Sequence, residues 1–345
     1  MRAVVTEGVG AMALFDRPEP PAPGPGEVIV RPEAVGICGS DYHFFTGELS
    51  EAAGGSQFPR VLGHEVAATI TAVGAGCREQ LTAGERVALW PLQACGHCYP
   101  CSVGRPNACD NFALIGIHVD GGMQERLAVS ENQVFPIAVD SPTVGAMAEP
   151  MSIAVRAVSR GRIAPGERMV VLGAGPIGQC VCLAARERGA QVLVIDLQER
   201  RLALSRELGA CETIVWTTLE EVVGAARRWA GRAGPPVAVD ATGAPEPVRA
   251  MVEMLSSAGR AVQVGMSNHE VPLRIGSLTE KELDVLGVSC CGSAEFGEAV
   301  AIVERNTSLL ARLISPEFPL AQAPEALRFA IGNPDEVMKV VIRGV

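Results

Sequence analysis

The sequence has 345 residues, which is long for a single hydrophobic core, so its length favours two domains. Hydrophobic residues make up 48% of it and charged residues 20%, a composition typical of an ordinary soluble globular protein. The net charge of −10, from 29 basic and 39 acidic side chains, and the lack of a lysine or arginine cluster argue against a nucleic-acid partner.

The N-terminus and the cysteine content bear on the cellular compartment. The first residues, MRAVVTEG, lack the uninterrupted apolar stretch of a signal peptide. Eleven cysteines without an export signal are typical of a reducing compartment, where thiolates bind metal rather than pair as disulfides. One uncharged run, Met169–Ala185, has the length of a membrane span but contains three glycines and Pro176. We therefore expect a cytoplasmic protein without a membrane partner.

The first 145 residues are rich in short β-type runs, such as Val28–Arg31 and Val66–Val73, separated by glycine and proline turns. A proline-dense stretch covers Pro18–Pro25. This pattern predicts a separate, mostly antiparallel domain. Within it, the small polar stretch Ser50–Ser56 is predicted to be a mobile surface loop.

A cysteine, a histidine and two glutamates are spread along this first part of the chain. Cys38 lies in GICGSDYH, His64 and Glu65 follow Gly63, and Glu149 lies in the segment AEP. Such residues, far apart in sequence, are what an open catalytic zinc site requires, with water or substrate at the remaining position. Taken singly, Cys38 would be a small buried residue, His64 a core histidine and the glutamates solvated groups. Together with the two motifs that follow, they predict a catalytic zinc site.

Four cysteines lie close together in CGHCYPCSVGRPNACD, with the spacing C-x2-C-x2-C-x7-C; they are Cys95, Cys98, Cys101 and Cys109. A short loop with this spacing can close a tetrahedral thiolate cage around zinc. The alternatives are two disulfides or unliganded core cysteines, and His97 is an alternative fourth ligand. A closed four-thiolate site has no open position, so we predict a structural zinc here.

An apolar strand, Met169–Leu172, runs into a glycine-rich turn and then a helix that ends near Gly189. A second strand closes at Asp196, which is placed to accept both ribose hydroxyls of a dinucleotide. The alternative is a glycine-rich turn with no ligand. An acid at the ribose position favours NAD over NADP, although Arg200 and Arg201 partly offset its charge. The predicted cofactor-binding residues are Gly173, Gly175, Pro176, Ile177, Gly178, Asp196 and Arg201.

Helices and strands continue to alternate after Asp196. The predicted elements are helices at Glu199–Leu208, Leu219–Trp229 and Pro247–Leu255, and strands at Thr213–Val215, Val237–Asp240 and Arg260–Val264. Repeating β-α units of this length are typical of a doubly wound parallel sheet.

In this combination of motifs, the chain resembles the zinc-dependent medium-chain dehydrogenase/reductase family over essentially its whole length. The resemblance implies an α/β protein with a GroES-like catalytic domain at 1–148 and 286–345, a structural zinc lobe at about 93–112, and a Rossmann NAD-binding domain at 149–285. Active sites of this family lie in the cleft between the two domains. Glu149 stands where an ethanol-oxidising member has a third catalytic cysteine, which is similar to the sorbitol, polyol, sugar-acid and threonine dehydrogenase branches.

The resemblance also implies roles for the site residues. Cys38 and His64 would bind the catalytic zinc with a glutamate, either Glu65 directly or Glu149, so that two zinc ions bind per chain. Ser40 and His43 stand where related enzymes relay the departing proton to solvent, and histidine exchanges protons near neutral pH. In the alternative interpretation, Ser40 only caps a turn and His43 is an exposed loop residue. The catalytic residues implied are Ser40, His43 and Glu149.

The implied reaction transfers a hydride between a secondary hydroxyl of a polyol or sugar acid and NAD, giving the ketone. Phe44 stands where sorbitol dehydrogenases have a tyrosine, and Ser289 and Cys290 replace an arginine and an aromatic residue. The segment KELDVLG is similar to hexonate 5-dehydrogenases. A carboxylate substrate needs a cationic partner, and the sequence alone does not place Arg60 or any other arginine beside it.

Two other functions remain open at this point. One is an L-threonine 3-dehydrogenase, whose motifs overlap strongly with those above. The other is a non-catalytic nucleotide-binding member, which is disfavoured because the zinc ligands and the relay residues are intact. By resemblance, the partners are a small hydroxylated substrate and further copies of the chain, as a homodimer or homotetramer.

Overall fold

The computed structural model describes residues 1–49, 55–231 and 233–344. Residues 50–54 of the predicted surface loop lie outside the described residues. The chain divides into two compact units, the first formed by Met1–Glu149 with Gly292–Val345 and the second by Pro150–Cys291.

The N-terminal part of the first unit is rich in strands. Its strands are β1 (Arg2–Gly8), β2 (Ala11–Asp16), β3 (Glu27–Gly36), β4 (Arg60–Val61), β5 (Glu65–Val73), β6 (Arg86–Leu89), β7 (Leu92–Gln93), β8 (Ala113–Leu114), β9 (Leu127–Ser130) and β10 (Val134–Pro136). Its helices are α1 (Gly39–Thr46), α2 (Tyr99–Ser102) and α3 (Pro142–Gly145), with short 3-10 turns at Pro106–Ala108 and Glu131–Gln133.

Helix α4 (Ala148–Arg160) leads the chain into the second unit, where strands and helices alternate. The strands are β11 (Arg168–Leu172), β12 (Gln191–Asp196), β13 (Glu212–Val215), β14 (Val237–Asp240), β15 (Arg260–Gln263) and β16 (Asp284–Gly287). The helices are α5 (Pro176–Glu187), α6 (Glu199–Glu207), α7 (Leu219–Ala230), α8 (Pro245–Met254) and α9 (Ile275–Glu280).

The chain then returns to the first unit. The elements there are α10 (Ser293–Arg305), α11 (Thr307–Ala311), β17 (Ile314–Pro319), a 3-10 turn at Leu320–Gln322, α12 (Ala323–Gly332) and β18 (Lys339–Arg343).

The main sheet of the first unit has the strand order β10-β6-β5-β3-β18-β17, and β9 also pairs with β3. Strand β3 is rich in β-branched residues, which favour a pleated conformation, and Val28 and Val30 are fully buried in the core. All pairings of these strands are antiparallel except the one between β17 and β18. Strand β18 thus pairs with β3, which lies some 300 residues earlier in the chain.

The sheet of the second unit is parallel, with the order β13-β12-β11-β14-β15-β16. This is the doubly wound order, and it reverses between β11 and β14, where the carboxyl ends of the strands leave a crevice. Buried side chains such as Val170 and Leu193 pack against Val222 of α7 and Met251 of α8. The predicted alternation of strands and helices is confirmed here.

One boundary differs from the predicted one. The predicted crossing after residue 285 falls inside β16, which pairs with β15 from Asp284 to Gly287. This sixth strand keeps the chain in the parallel sheet, so the second unit ends at Cys291. The sequence did not reveal β16 because its burial is one-sided, with only Leu286 buried.

The uncharged run 169–185 consists of most of β11, the glycine-rich turn and most of α5. In the described part of the chain, every helix is too short or too polar to cross a bilayer.

Candidate active site and metal centres

The structure brings the predicted zinc ligands Cys38, His64 and Glu65 together. Cys38 immediately precedes α1, His64 immediately precedes β5, and Glu65 is the first residue of that strand. Their ligand atoms, one from each side chain, all lie within 4.8 Å of one another. A thiol, an imidazole and a carboxylate gathered in this way have the donor set that zinc binds at about 2.0–2.3 Å.

Asp41 lies beside two of these ligands. One of its oxygens accepts a hydrogen bond from the backbone amide of Cys38 at 2.8 Å, and the other lies 3.7 Å from His64 Nδ1. Neither this second oxygen nor His64 Nδ1 has a hydrogen-bond partner, although both are buried. An unsatisfied buried imidazole nitrogen costs free energy, so this arrangement fits a site that is completed by a metal cation.

The charges of the site act on the imidazole. Burial alone would lower the pKa of His64, but the charges of Asp41 and Cys38 raise it well above its usual range. The free site therefore favours a protonated imidazole, and a metal that binds this ring must displace the proton.

Glu149, predicted as catalytic and as an alternative ligand, is also buried and near this cluster. Burial raises its pKa to about 7, with the charge of His64 opposing the rise and Glu65 adding to it. These effects place Glu149 in the electrostatic field of the same site. Burial likewise raises the pKa of Asp41, and His64 partly offsets that rise.

The predicted relay residues, Ser40 and His43, both lie in α1 but in different surroundings. Ser40 Oγ is 3.5 Å from His64 Nε2, at the outer limit of a hydrogen bond. The side chain of His43 is 51% exposed, and its Nδ1 lies 3.8 Å from a carboxylate oxygen of Glu48. Among the described contacts, Ser40 and His43 are not hydrogen-bonded to each other. A path between them would therefore need a further group, such as a cofactor hydroxyl or water.

The four-cysteine motif forms a compact thiol cluster around α2. Sulfur atoms are 3.5 Å apart for Cys98 and Cys101, 3.7 Å for Cys98 and Cys109, and 3.4 Å for Cys109 and Cys95. A tetrahedron with Zn–S bonds of about 2.3 Å has sulfur atoms about 3.8 Å apart, whereas a disulfide bond is about 2.05 Å long. All four cysteines are free. The cluster therefore fits zinc and contradicts the alternative of two disulfides.

Backbone amides donate to sulfur atoms of this cluster and so favour the thiolate form. The amides of His97 and Cys98 lower the pKa of Cys95 to about 6. Backbone amides of Cys95 and Asn111 also donate to Cys109 Sγ, each at 3.3 Å. The imidazole of His97 is hydrogen-bonded through Nδ1 to the carbonyl oxygen of Cys95 at 2.8 Å, and the ligand atoms that lie within 4.8 Å of one another are those of the four cysteines.

In the second unit, the glycine-rich turn between β11 and α5 has the geometry of a phosphate-binding turn. Gly173 has a φ of +95°, which side chains rarely adopt, and a Cβ at Gly178 would collide with the carbonyl oxygen of Gly173. Gly175 is the N-cap of α5, with no atom within 4 Å of the place that a Cβ would occupy. Pro176 and Ile177 begin the helix, whose N-terminus carries a partial positive charge.

Asp196, the last residue of β12, lies beside this turn. Its two oxygens accept hydrogen bonds from the amides of Ala174 at 2.6 Å and Gln198 at 2.8 Å. Gln179, which the sequence did not single out, is fully buried and donates to the carbonyl oxygens of Ala174 and Arg201. A buried glutamine inside the predicted helix was the available signal, because buried amides need partners.

Two residues that the sequence analysis considered for substrate choice, Phe44 and Arg60, have other surroundings. Phe44 is fully buried and packs edge-to-face on Phe58 at a centroid distance of 5.2 Å, so it belongs to the core. Arg60 lies 3.7 Å from Asp120. Cys291, next to Cys290, is buried and donates a hydrogen bond to Ser152 Oγ at 3.1 Å, which makes it a packing residue.

Two family models match the chain: the alcohol dehydrogenase GroES-like domain over residues 24–139 and the zinc-binding dehydrogenase over residues 176–305. The chain belongs to the zinc-binding dehydrogenase family. These matches confirm the predicted family. Together with the parallel sheet of this dehydrogenase, they also confirm the predicted fold class, a GroES-like domain joined to a Rossmann-type parallel sheet.

Individual relatives are similar over nearly their whole length. L-galactonate-5-dehydrogenase of Escherichia coli K12 is 31% identical over 336 residues, covering 95% of each chain. A probable D-xylulose reductase A of Emericella nidulans is 31% identical over 333 residues, covering 94% of this chain and 91% of the relative. The crystal structure of the alcohol dehydrogenase rspB of E. coli CFT073, complexed with NADH, matches with a TM-score of 0.88 at 30% identity and 99% coverage of both chains.

Proposed function

We propose that this dehydrogenase transfers a hydride between a secondary hydroxyl of a polyol or sugar acid and NAD, in a zinc-dependent reaction that gives the ketone. The observation that carries the proposal is the buried cluster of Cys38, His64 and Glu65, whose ligand atoms lie within 4.8 Å of one another. Cys38 and His64 together with a single carboxylate leave a position for the substrate oxygen, which a closed four-thiolate site does not.

Cys38 and His64 would hold the catalytic zinc, with a carboxylate from Glu65 or Glu149, and Cys95, Cys98, Cys101 and Cys109 would hold the structural zinc. When bound, zinc supplies a Lewis acid for the carbinol oxygen and NAD supplies the hydride acceptor. Asp41 orients the site, because it bonds the amide of Cys38 and faces His64.

Ser40 and His43 would carry the hydroxyl proton away. Ser40 is half-buried next to His64, which suits the inner end of a proton path. His43 is exposed, which suits the outer end, where the proton passes to solvent.

The glycine-rich turn, Asp196 and Arg201 would form the cofactor site in the second unit. Asp196 is held at the turn by two backbone amides and presents a carboxylate to the ribose hydroxyls. This negative charge disfavours the 2′-phosphate of NADP, and the NADH complex of the related rspB supports the same preference.

The relatives support a polyhydroxylated substrate. L-galactonate-5-dehydrogenase and D-xylulose reductase are named for a sugar acid and a ketose, whose chemistry is oxidation or reduction at a secondary carbinol carbon. We further propose that this dehydrogenase acts in the cytoplasm. We also propose that it forms a homodimer or homotetramer, and size-exclusion chromatography with light scattering would test this oligomeric state.

The test of the proposal is NADH formation by the zinc-loaded protein with NAD and a panel of hexonates, polyols, L-threonine and simple alcohols. Turnover with hexonates or polyols is the expected result. Turnover with threonine alone would support the threonine 3-dehydrogenase alternative, and no turnover with intact NAD binding would contradict the proposed substrate class.

A further inference from the structure

A buried ion pair adjoins the proposed zinc ligands. Lys339 Nζ donates to the two carboxylate oxygens of Glu65 at 2.6 and 2.7 Å, and to the carbonyl oxygen of Ile37 at 3.2 Å. The Glu65 side chain is 1% exposed and that of Lys339 4%. The three protons of the ammonium group therefore all have acceptors, and each oxygen of the carboxylate accepts one of these protons.

A glycine in the sheet makes this pair possible. Strand β3 lies between β5 and β18, and its residue Gly36 is opposite Glu65 on one side and Val341 on the other. A Cβ at Gly36 would collide with a carboxylate oxygen of Glu65. The missing side chain on the middle strand thus leaves room for the carboxylate beside it, and the sheet itself fixes the contact with Lys339.

The same carboxylate is also within reach of the metal site. One Glu65 oxygen lies within 4.8 Å of the ligand atoms of Cys38 and His64. The two hydrogen bonds from Lys339 fix the direction of both Glu65 oxygens, so turning one of them towards a metal would weaken these bonds. The ammonium group and a divalent cation at this distance from one carboxylate also repel each other.

The charge balance around the site also favours Lys339 as the partner of Glu65. A zinc ion with one thiolate and one carboxylate is electrically neutral, so a second carboxylate needs its own cation in a buried site. Cys38 supplies the thiolate, and Glu65 and Glu149 are both buried near it. Lys339 supplies this cation for Glu65, with which it forms the buried ion pair.

We propose that Lys339 is a positioning residue that holds Glu65 out of the zinc coordination shell and so keeps one position open for the substrate oxygen. The inference rests on the catalytic zinc site proposed above, with Glu149 of the two glutamates as its carboxylate ligand. Without the ammonium group, Glu65 would turn to the metal and occupy the open position.

The experiment uses full-length protein in which Co²⁺ replaces zinc, because the visible spectrum of Co²⁺ reports its coordination number. The spectrum of Cys38→Ser, which keeps the four-cysteine site, is subtracted to isolate the catalytic site. In Lys339→Met we expect a changed spectrum for this site and about 10-fold slower loss of Co²⁺ to a chelator. We also expect the KM for the alcohol substrate to rise while the KM for NAD stays the same.

Two further variants serve as controls. The double variant Glu65→Gln with Lys339→Met removes both buried charges at once and is expected to show the wild-type spectrum and Co²⁺ retention within about 3-fold of wild type. Arg343→Met removes a cation from the same strand, where Arg343 pairs with Glu317 on the surface, and should change nothing.

Unchanged spectrum and retention in Lys339→Met would overturn the proposal. Loss of the catalytic Co²⁺ in the double variant would also overturn it, because Glu65 would then be a ligand. If Lys339→Met alone does not fold, the double variant decides the question. A wild-type protein that binds Co²⁺ only at the four cysteines would instead refute the proposed catalytic zinc site.

Discussion

Asp196 shows how a single side chain is prepared for its proposed role. The amides of Ala174 and Gln198 hold its two oxygens at the end of β12, so the carboxylate is oriented before any cofactor binds. Charge-assisted hydrogen bonds of this kind are short and directional, and an oriented carboxylate loses little entropy when it accepts ribose hydroxyls.

Asp196→Ala is expected to lower kcat/KM for NAD by about 10-fold to 100-fold and to shift the preference towards NADP, because it removes about 1.5–3 kcal/mol of charge-assisted hydrogen bonding. Steady-state kinetics with both cofactors measures the change. Glu212→Ala, which removes an exposed carboxylate at the start of β13, is the matched control. An unchanged preference would mean that Arg200 or Arg201 governs cofactor choice.

His43→Gln is expected to lower kcat by about 100-fold near pH 7, because the proposed proton path loses its outer acceptor. At higher pH, where solvent accepts the proton directly, part of the rate should return. His97→Gln, at an exposed histidine of the cysteine motif, should leave kcat unchanged. Equal kcat in His43→Gln and wild type across the pH range would show that the proton leaves by another path.

At the scale of elements, the clearest predictions from the sequence were those that a short segment contains. The four thiols lie between residues 95 and 109, and the glycine-rich turn lies between one strand and one helix, so spacing alone specified both geometries. The alternation of elements predicted a doubly wound parallel sheet, and the structure adds its strand order.

What the sequence could not reveal depends on contacts between distant segments. Lys339 lies 274 positions from Glu65, and only the pairing of β3 with β5 and β18 brings them together. Phe44 was interpreted by its distance from Cys38, but its environment is set by Phe58 and the core. The only local indication of this buried ion pair was the position of Lys339 at the start of an otherwise apolar run.

Cys98→Ser should remove about one zinc per chain and lower the free energy of unfolding by about 2 kcal/mol or more, which corresponds to a fall in Tm of about 4–8 °C. Metal analysis and thermal unfolding measure the two effects. Cys211→Ser, at an exposed cysteine outside the cluster, is the control and should change neither. A normal Tm after loss of the metal would refute the structural role of this site.

At the scale of the whole molecule, the two metal sites should be separable. Cys38→Ser is expected to lose a different zinc ion and at least about 10³-fold in activity, since a Lewis acid contributes several kcal/mol to the reaction. Its Tm should fall less than that of Cys98→Ser. If both variants lost stability equally, the division into a catalytic and a structural site would be incorrect.

The position of β18 also constrains the order in which the ribosome can deliver a finished protein. Strand β18 lies between β3 and β17, so the main sheet of the first unit stays incomplete until residues 339–343 have been synthesised. The second unit, Pro150–Cys291, is continuous in sequence and is made entirely before that point. The nascent chain therefore completes its second unit first, at a stage when Glu65 has no ion pair because Lys339 has not yet been synthesised.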